Sequence, residues 1–238
     1  MYREIKKKKL ILENRKPFKR EVARFIHELN TIDLIYSSMK LDGSNITRKI
    51  VERIVKGEFV IEANVSDHAL ITNYSDTVKL LYDMHELDVY LNEKYLFKIY
   101  STLTKPDIVE YRKNNPVLRM IGYNPPHFKE IEEQMEILFQ WLYKDRYLIN
   151  PIEKAAYLHN KLIEIYPFET ASEAVARIAA QYLLISNGYP PILWNISEQE
   201  YFDAIRLYIK TEDVGPIYDV LERGVFNKLE VMMQLTAE

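Results

Sequence analysis

A chain of 238 residues, 47% of them hydrophobic, can build one well-packed domain with a smaller N-terminal part. A formal charge of -3 and a pI near 6.0 exclude a general attraction to nucleic acid or anionic membrane. The lack of cysteine excludes disulfides, thiolate nucleophiles and cysteine-held metals. No apolar run is long enough for a bilayer and no signal-peptide pattern opens the chain, so a soluble cytoplasmic protein is expected.

The run Lys6 to Lys9 reads as a solvated or frayed end. After Pro17, the spacing of Phe18, Val22, Phe25, Ile26 and Leu29 predicts a first helix. A turn follows around 41–45, then a short helix from Thr47 to Val55, which Gly57 closes as a C-terminal cap residue. Helices are predicted over Thr77 to Leu87 and Leu91 to Leu103. Pro106, Pro116 and Asn114-Asn115 break the pattern between 105 and 124, which reads as loop with a short hairpin. Past Pro125-Pro126, the residues Ile131, Met135, Leu138, Phe139 and Leu142 mark a strongly amphipathic helix. Asn150 as cap, Pro151 at the first helical position and Glu153 then open a helix whose stripe ends at Ile163. A long helix spans Ser172 to Ser186 and stops at Asn187-Gly188. Two more cover Glu198 to Lys210 and Val214 to Met233.

Between two of these helices lies Ile165-Tyr-Pro-Phe-Glu-Thr-Ala-Ser-Glu-Ala-Val-Ala-Arg177. This stretch resembles the signature loop of Fic-domain proteins, H-P-F-x-[D/E]-G-N-G-R-x-x-R. Pro167, Phe168 and Arg177 match the pattern. Tyr166 stands at the histidine, Thr170 at the acid, and Ala171-Ser172-Glu173-Ala174 at Gly-Asn-Gly-Arg. The likeness extends outward in the same order as in the family. Residues 158–165 resemble the helix entering the motif, and Gly188-Tyr189-Pro190-Pro191 the exit from the helix after it. Tyr111-Arg112 and Gly122-Tyr123-Asn124-Pro125-Pro126 resemble the flap region. Ser38-Met39-Lys40-Leu41-Asp42-Gly43 is similar to the inhibitory motif [S/T]-x-x-x-E-[G/N], with Asp42 in place of glutamate. The fold implied is all-α: a Fic-like core over 76–238, an N-terminal helical segment over 1–75 carrying the inhibitory-type helix, and a short β-hairpin flap.

The resemblance implies transfer of AMP from ATP to a hydroxyl. Histidine serves as base, an acid holds magnesium, a glycine-rich helix start cradles phosphate and two arginines neutralise it. Tyr166 is a poor base, because a phenol with a pKa near ~10 holds its proton at neutral pH. Thr170 brings no charge to magnesium. Ala171 and Glu173 replace glycines, and Glu173 adds a negative charge where phosphates would sit. Thr170 to Glu173 reads instead as a capping box for the following helix. Arg177 is expected to pair with Asp42 as a tertiary link. His159, on an apolar stripe, reads as a core histidine. Tyr36, Tyr123, Tyr157, Tyr166 and Tyr189 are candidates to cluster near the site. Core packing is favoured for most of them, and Tyr123 is the surface and flap candidate.

These readings assign no catalytic residue. They leave Ser172 and Arg177 as nucleotide-binding candidates and Ser38, Asp42 and Gly43 as inhibitory-motif candidates, with no metal ligand. The expected function is a binding or regulatory module on a Fic fold without AMP transfer. It would act on a protein partner, with no nucleic acid or membrane involved and self-association left open. The alternative is a nucleotide-binding enzyme of altered nucleotidyl- or phosphoryl-transfer chemistry, and only there are ATP and magnesium expected.

Overall fold

In the computed structural model, which describes residues 1–144 and 150–237, ten α-helices carry the architecture. They are α1 (Tyr2–Asn14), α2 (Arg20–Leu41), α3 (Arg48–Val55), α4 (Val65–Glu86), α5 (Glu93–Thr104), α6 (Ile131–Tyr143), α7 (Pro151–Ile165), α8 (Ser172–Ser186), α9 (Glu198–Thr211) and α10 (Gly215–Leu235), with a 3-10 turn (Phe128–Glu130) before α6. No strand occurs among the described residues. The expected hairpin reduces to one antiparallel bridge, Leu118 to Tyr123.

The centre is α8. Between Ser172 and Ile185 every residue but Glu173 is buried. Such all-round burial suits a central helix. Ala174, Ala176, Ala179 and Ala180 on α8, and Ala155 and Ala156 on α7, are all 6% exposed or less. Small side chains of this kind let two helix backbones approach closely. The two helices form the most extensive contact of the molecule, with α4 and α5 also against α8, and α6, α9 and α10 against α7. Polar caps fix the starts of several helices. Thr47, Asn64, Asn92, Asn150 and Ser197 each accept a backbone N–H of the first turn, and Ser197 and Glu200 form a reciprocal capping box.

Three expectations are corrected. The basic run is not a frayed end. It lies on α1, which buries Ile5 and Leu12, pairs Lys8 with Glu230, and donates from Lys9 Nζ to the Asn187 carbonyl at 2.6 Å. The helix after Pro17 continues past Leu29 to Leu41. Its second half is buried on several sides, so no single stripe betrays it. The helix expected from Thr77 begins at Val65, capped by Asn64.

α2 ends in a way that matters for the site. Gly43 has φ +80°, and the amides of Gly43 and Ser44 bond to the carbonyls of Lys40 (3.2 Å) and Met39 (3.0 Å). This left-handed glycine closure leaves Asp42 at the helix C-terminus, pointing toward α8.

Candidate functional site

The loop 166–171 turns the chain from α7 into α8. Its anchor is Phe168, which is fully buried and lies parallel to the Tyr100 ring at 4.0 Å between centroids. Phe97 and Tyr111 pack around it. Both ends of the loop adopt left-handed backbone, Tyr166 at φ 51° and Ala171 at φ 57°. Such conformations are uncommon for residues with a β-carbon and mark a locally over-determined turn.

Arg112 supplies much of that determination. Its guanidinium, on a residue 2% exposed, donates to four carbonyls: Tyr166 (2.7 Å), Ile165 (3.3 Å), Asn114 (2.6 Å) and Pro126 (2.6 Å). Its amide also donates to the Pro167 carbonyl at 2.9 Å. The cation sits at the C-terminus of α7, where the helix presents unsatisfied carbonyls and negative potential. One side chain thereby clips the segment 112–127 onto the motif loop. Tyr123, within that segment, is half-buried, and burial together with the Glu164 carboxylate pushes its phenol up to about 12.

The Tyr166 hydroxyl donates to both Glu173 carboxylate oxygens, each at 3.0 Å. Burial first, and the Glu173 charge second, hold its pKa well above the ordinary phenol range. At neutral pH it is a fixed hydrogen-bond donor. The expected capping box is not formed. Ala171 is the N-cap of α8, and no side chain caps that end. Glu173 bonds to Tyr166 rather than back to the helix start, and Thr170 is exposed. The Ser172 side chain turns inward, accepting from the Phe168 amide (2.9 Å) and donating to its carbonyl (3.0 Å). The hydroxyl that was a nucleotide-binding candidate thus serves the loop.

Arg177, one turn further along α8, is fully buried. Its Nη2 pairs with Asp42 Oδ1 at 2.5 Å and donates to the Ser38 carbonyl at 3.3 Å. Nη1 reaches the Tyr201 hydroxyl at 3.5 Å, and the guanidinium lies 5.6 Å from the Tyr201 ring centroid. Tyr74 donates to Asp42 Oδ2 at 3.3 Å. The network continues through Tyr201 to His159 Nε2 (2.8 Å) and from His159 Nδ1 to Asn160 Oδ1 (2.9 Å). Since Asn160 Oδ1 can only accept, Nδ1 carries the proton and Tyr201 donates to Nε2. Burial, with the Arg177 charge adding to it and the Asn160 bond opposing it, lowers the His159 pKa to about 3. His159 is a neutral core histidine. Arg177 Nε and Ser38 Oγ are buried without a hydrogen-bond partner.

A cavity of about 650 Å³ opens over this array. Asp42, Glu173, Glu198 and Arg177 supply its charges, and Tyr74, Tyr201 and Phe202 are among its walls. Three carboxylates thus face one guanidinium, which is already paired. The aromatic cluster differs from the expected one. Tyr74 and Tyr201, not singled out in the sequence, line the cavity. Tyr157 packs on Trp141 at 4.0 Å, and Tyr189 lies beneath Lys9 at 4.6 Å. Among the described residues no group of three or more His, Asp or Glu side chains could hold a metal ion. With Thr170 neutral and exposed and Glu173 engaged by Tyr166, the donor set beside the cavity does not fit magnesium.

Residues 90–184 match the Fic/DOC family. The chain is 25% identical over 188 residues to a protein adenylyltransferase Fic of Nematostella vectensis, covering 72% of this chain and 42% of that one. It is 22% identical over 237 residues to a protein of the same name from Drosophila mojavensis, covering 92% and 47%. The chain therefore spans less than half the length of these curated relatives. Among solved structures, a Fic domain containing signaling protein from Bacteroides thetaiotaomicron aligns with a TM-score of 0.87 at 20% identity, over 98% of this chain and 97% of that one. Fic-1 from C. elegans aligns with a TM-score of 0.81 at 16% identity, over 98% and 70%. At these identities the structures establish a shared fold. No helix among the described residues is long and apolar enough to cross a membrane.

Proposed function

We propose that this chain, a member of the Fic/DOC family, is a binding or regulatory module that does not transfer AMP. The observation that carries the reading is the Tyr166–Glu173 pair. The residue at the family's base position is locked as a proton donor, and its partner sets a carboxylate in the first turn of α8, where the family motif has a glycine beside bound phosphate. A nucleotide triphosphate entering the 650 Å³ cavity would meet Asp42, Glu173 and Glu198, and like charges in a partly desolvated site repel strongly. Its one available counter-charge, Arg177, is already held by Asp42 at 2.5 Å. The misfit of the donor set to magnesium supports the same reading.

One feature favours the alternative, an enzyme of altered chemistry. The start of α8 carries no side-chain cap, and free N–H groups at a helix N-terminus attract anions. Calorimetric titration with magnesium ATP separates the two, using the wild-type chain and an Asp42→Gly variant. No binding heat from either is expected. Saturable binding by the variant would mean that Asp42 alone closes a working phosphate site, and the proposal would be wrong.

A further inference from the structure

The 650 Å³ cavity over the Arg177 array does not end at α2. It meets a second cavity, of about 510 Å³, at Asp42 and Leu70, which line both. Together they form one trough from the start of α9, past the end of α2, to the link between α3 and α4. Five carboxylates line it, those of Asp42, Glu62, Asp67, Glu173 and Glu198, against the single guanidinium of Arg177. That guanidinium is paired with Asp42. Glu62 lies 3.6 Å from Arg53 with its side chain 64% exposed, a pair that solvent screens. Tyr166, the partner of Glu173, is neutral and leaves the carboxylate charge in place. A cleft lined mainly by one sign of charge focuses its field on ligands of the other sign.

The carboxylates are spread out rather than gathered. Among the described residues no three acidic or histidine side chains are placed to hold a metal ion, so one small cation would meet only part of the charge. Apolar side chains share the lining. Ile50, Leu70 and Phe202 are half-buried, and Met120 is 60% exposed. Ile61 and Val65, on either side of the lining residues 62–64, are 86% and 85% exposed. Apolar surface interspersed with separate carboxylates fits lysine and arginine side chains, which lay their methylene stems on apolar surface and carry charge at the tip. Several such side chains at intervals along one extended chain would engage the separate acids at once.

We propose that this trough is the docking site for an extended segment of a partner protein rich in lysine or arginine. The basic tips meet the carboxylates from Glu198 at one end to Glu62 at the other, and the stems lie on the apolar lining between them. The inference rests on the reading of this site as a binding module, and it names the class of partner.

Fluorescence anisotropy on the full chain tests it with a labelled, end-blocked peptide KLKAKLK, which places its lysines on one side when extended, and with the neutral analogue QLQAQLQ. The lysine peptide should bind with a Kd of about 10–100 μM at about 50 mM salt and at least about tenfold more weakly at about 0.5 M. The analogue should bind at least about tenfold more weakly at low salt. Glu62 and Glu198 are exposed, so Glu62→Lys with Glu198→Lys should weaken the lysine peptide about tenfold or more without moving the thermal midpoint appreciably. Glu133 and Glu136, exposed on α6, border neither cavity. Glu133→Lys with Glu136→Lys makes the same change in net charge there and should alter the Kd by less than about twofold. The proposal is overturned by no saturable binding of the lysine peptide to about 1 mM, by equal affinity for the two peptides, or by equal losses from the two double variants. Calorimetry with magnesium ATP on the same wild-type chain distinguishes the failures. Silence from both peptide and ATP overturns this inference and leaves the reading as a module without AMP transfer standing. Saturable ATP binding overturns both.

Discussion

Removing Asp42 should destabilise this protein more than removing Asp42 and Arg177 together. Arg177 is fully buried, and Asp42 is its only carboxylate partner among the described residues. Its other contacts are a carbonyl at 3.3 Å and a hydroxyl at 3.5 Å. A buried charge stripped of its partner costs roughly 3–5 kcal/mol. The Asp42 side chain is 37% exposed, so solvent screens the pair, and the expected loss for Asp42→Ala is about 2–3 kcal/mol. Arg177→Met behaves differently. Asp42 can turn to water, and methionine retains the apolar volume of the stem, so the loss is about 1–2 kcal/mol. In the double variant no buried charge remains unpaired, and its loss should match that of Arg177→Met. The cycle thus predicts a coupling of about 2 kcal/mol, with the second substitution restoring part of what the first removed. Urea unfolding followed by far-ultraviolet circular dichroism resolves this as a midpoint difference of about 0.3–0.5 M between Asp42→Ala and the double variant. Losses that add to within about 0.5 kcal/mol would refute the reasoning, because the two side chains would then be energetically independent.

His159 sets a pH dependence. Its folded pKa is near 3 and the unfolded imidazole titrates near ~6.5, so between these values the unfolded state binds the extra proton. The contribution is complete above about pH 6.5 and falls by about 1.4 kcal/mol per pH unit below it; His159→Gln should flatten that part of the stability profile, and an unchanged slope between pH 6 and about pH 4.5 would show that the imidazole is not held neutral. At Gly224, on α10, an added β-carbon would lie 2.7 Å from Ile192 Cδ1 and 3.0 Å from its Cβ. Gly224→Ala should therefore lower stability by about 1 kcal/mol although alanine favours helix, and a rise in thermal midpoint would contradict the packing of α10 on the Ile192 segment.

What the sequence made legible follows from which signals are local. α8 was bounded correctly at Ser172 and Ser186 because Asn187-Gly188 stops a helix through its own backbone preferences, and α3 because Thr47 and Gly57 bracket it. α1 escaped notice because its two buried residues, Ile5 and Leu12, stand two helical turns apart in a lysine-rich stretch, and their value lies in contact with α10, a partner at the other end of the chain. The first half of α4 is polar enough to pass for a loop until Asn64 is recognised as its cap. The false capping box shows the limit from the other side. Thr170 and Glu173 satisfy the pattern, yet the left-handed residue is Ala171, and the Glu173 carboxylate finds the Tyr166 hydroxyl instead. Nothing within four residues of Glu173 announces that choice. Arg112 is a similar case: a cation with four carbonyl acceptors drawn from three parts of the chain cannot be recognised from its neighbours in sequence.

These long-range contacts hold the loop 166–171 through residues outside it. Pro167, Phe168 and Arg177 match the family pattern, and each has structural work independent of nucleotide. The Pro167 carbonyl accepts the Arg112 amide, Phe168 fills an aromatic cage, and Arg177 ties α2 to α8 and α9 through Asp42, Ser38 and Tyr201. Of the positions that differ, Tyr166, Thr170, Ala171 and Glu173 are half-buried or exposed, whereas Ser172 and Ala174 are buried and Ser172 is bonded to the Phe168 backbone. Loss of Arg177 would take a shared partner from Asp42 and Tyr201 at once. The retained Arg177 thus has a structural role, tying α2 to α8 and α9, whatever it does with nucleotide.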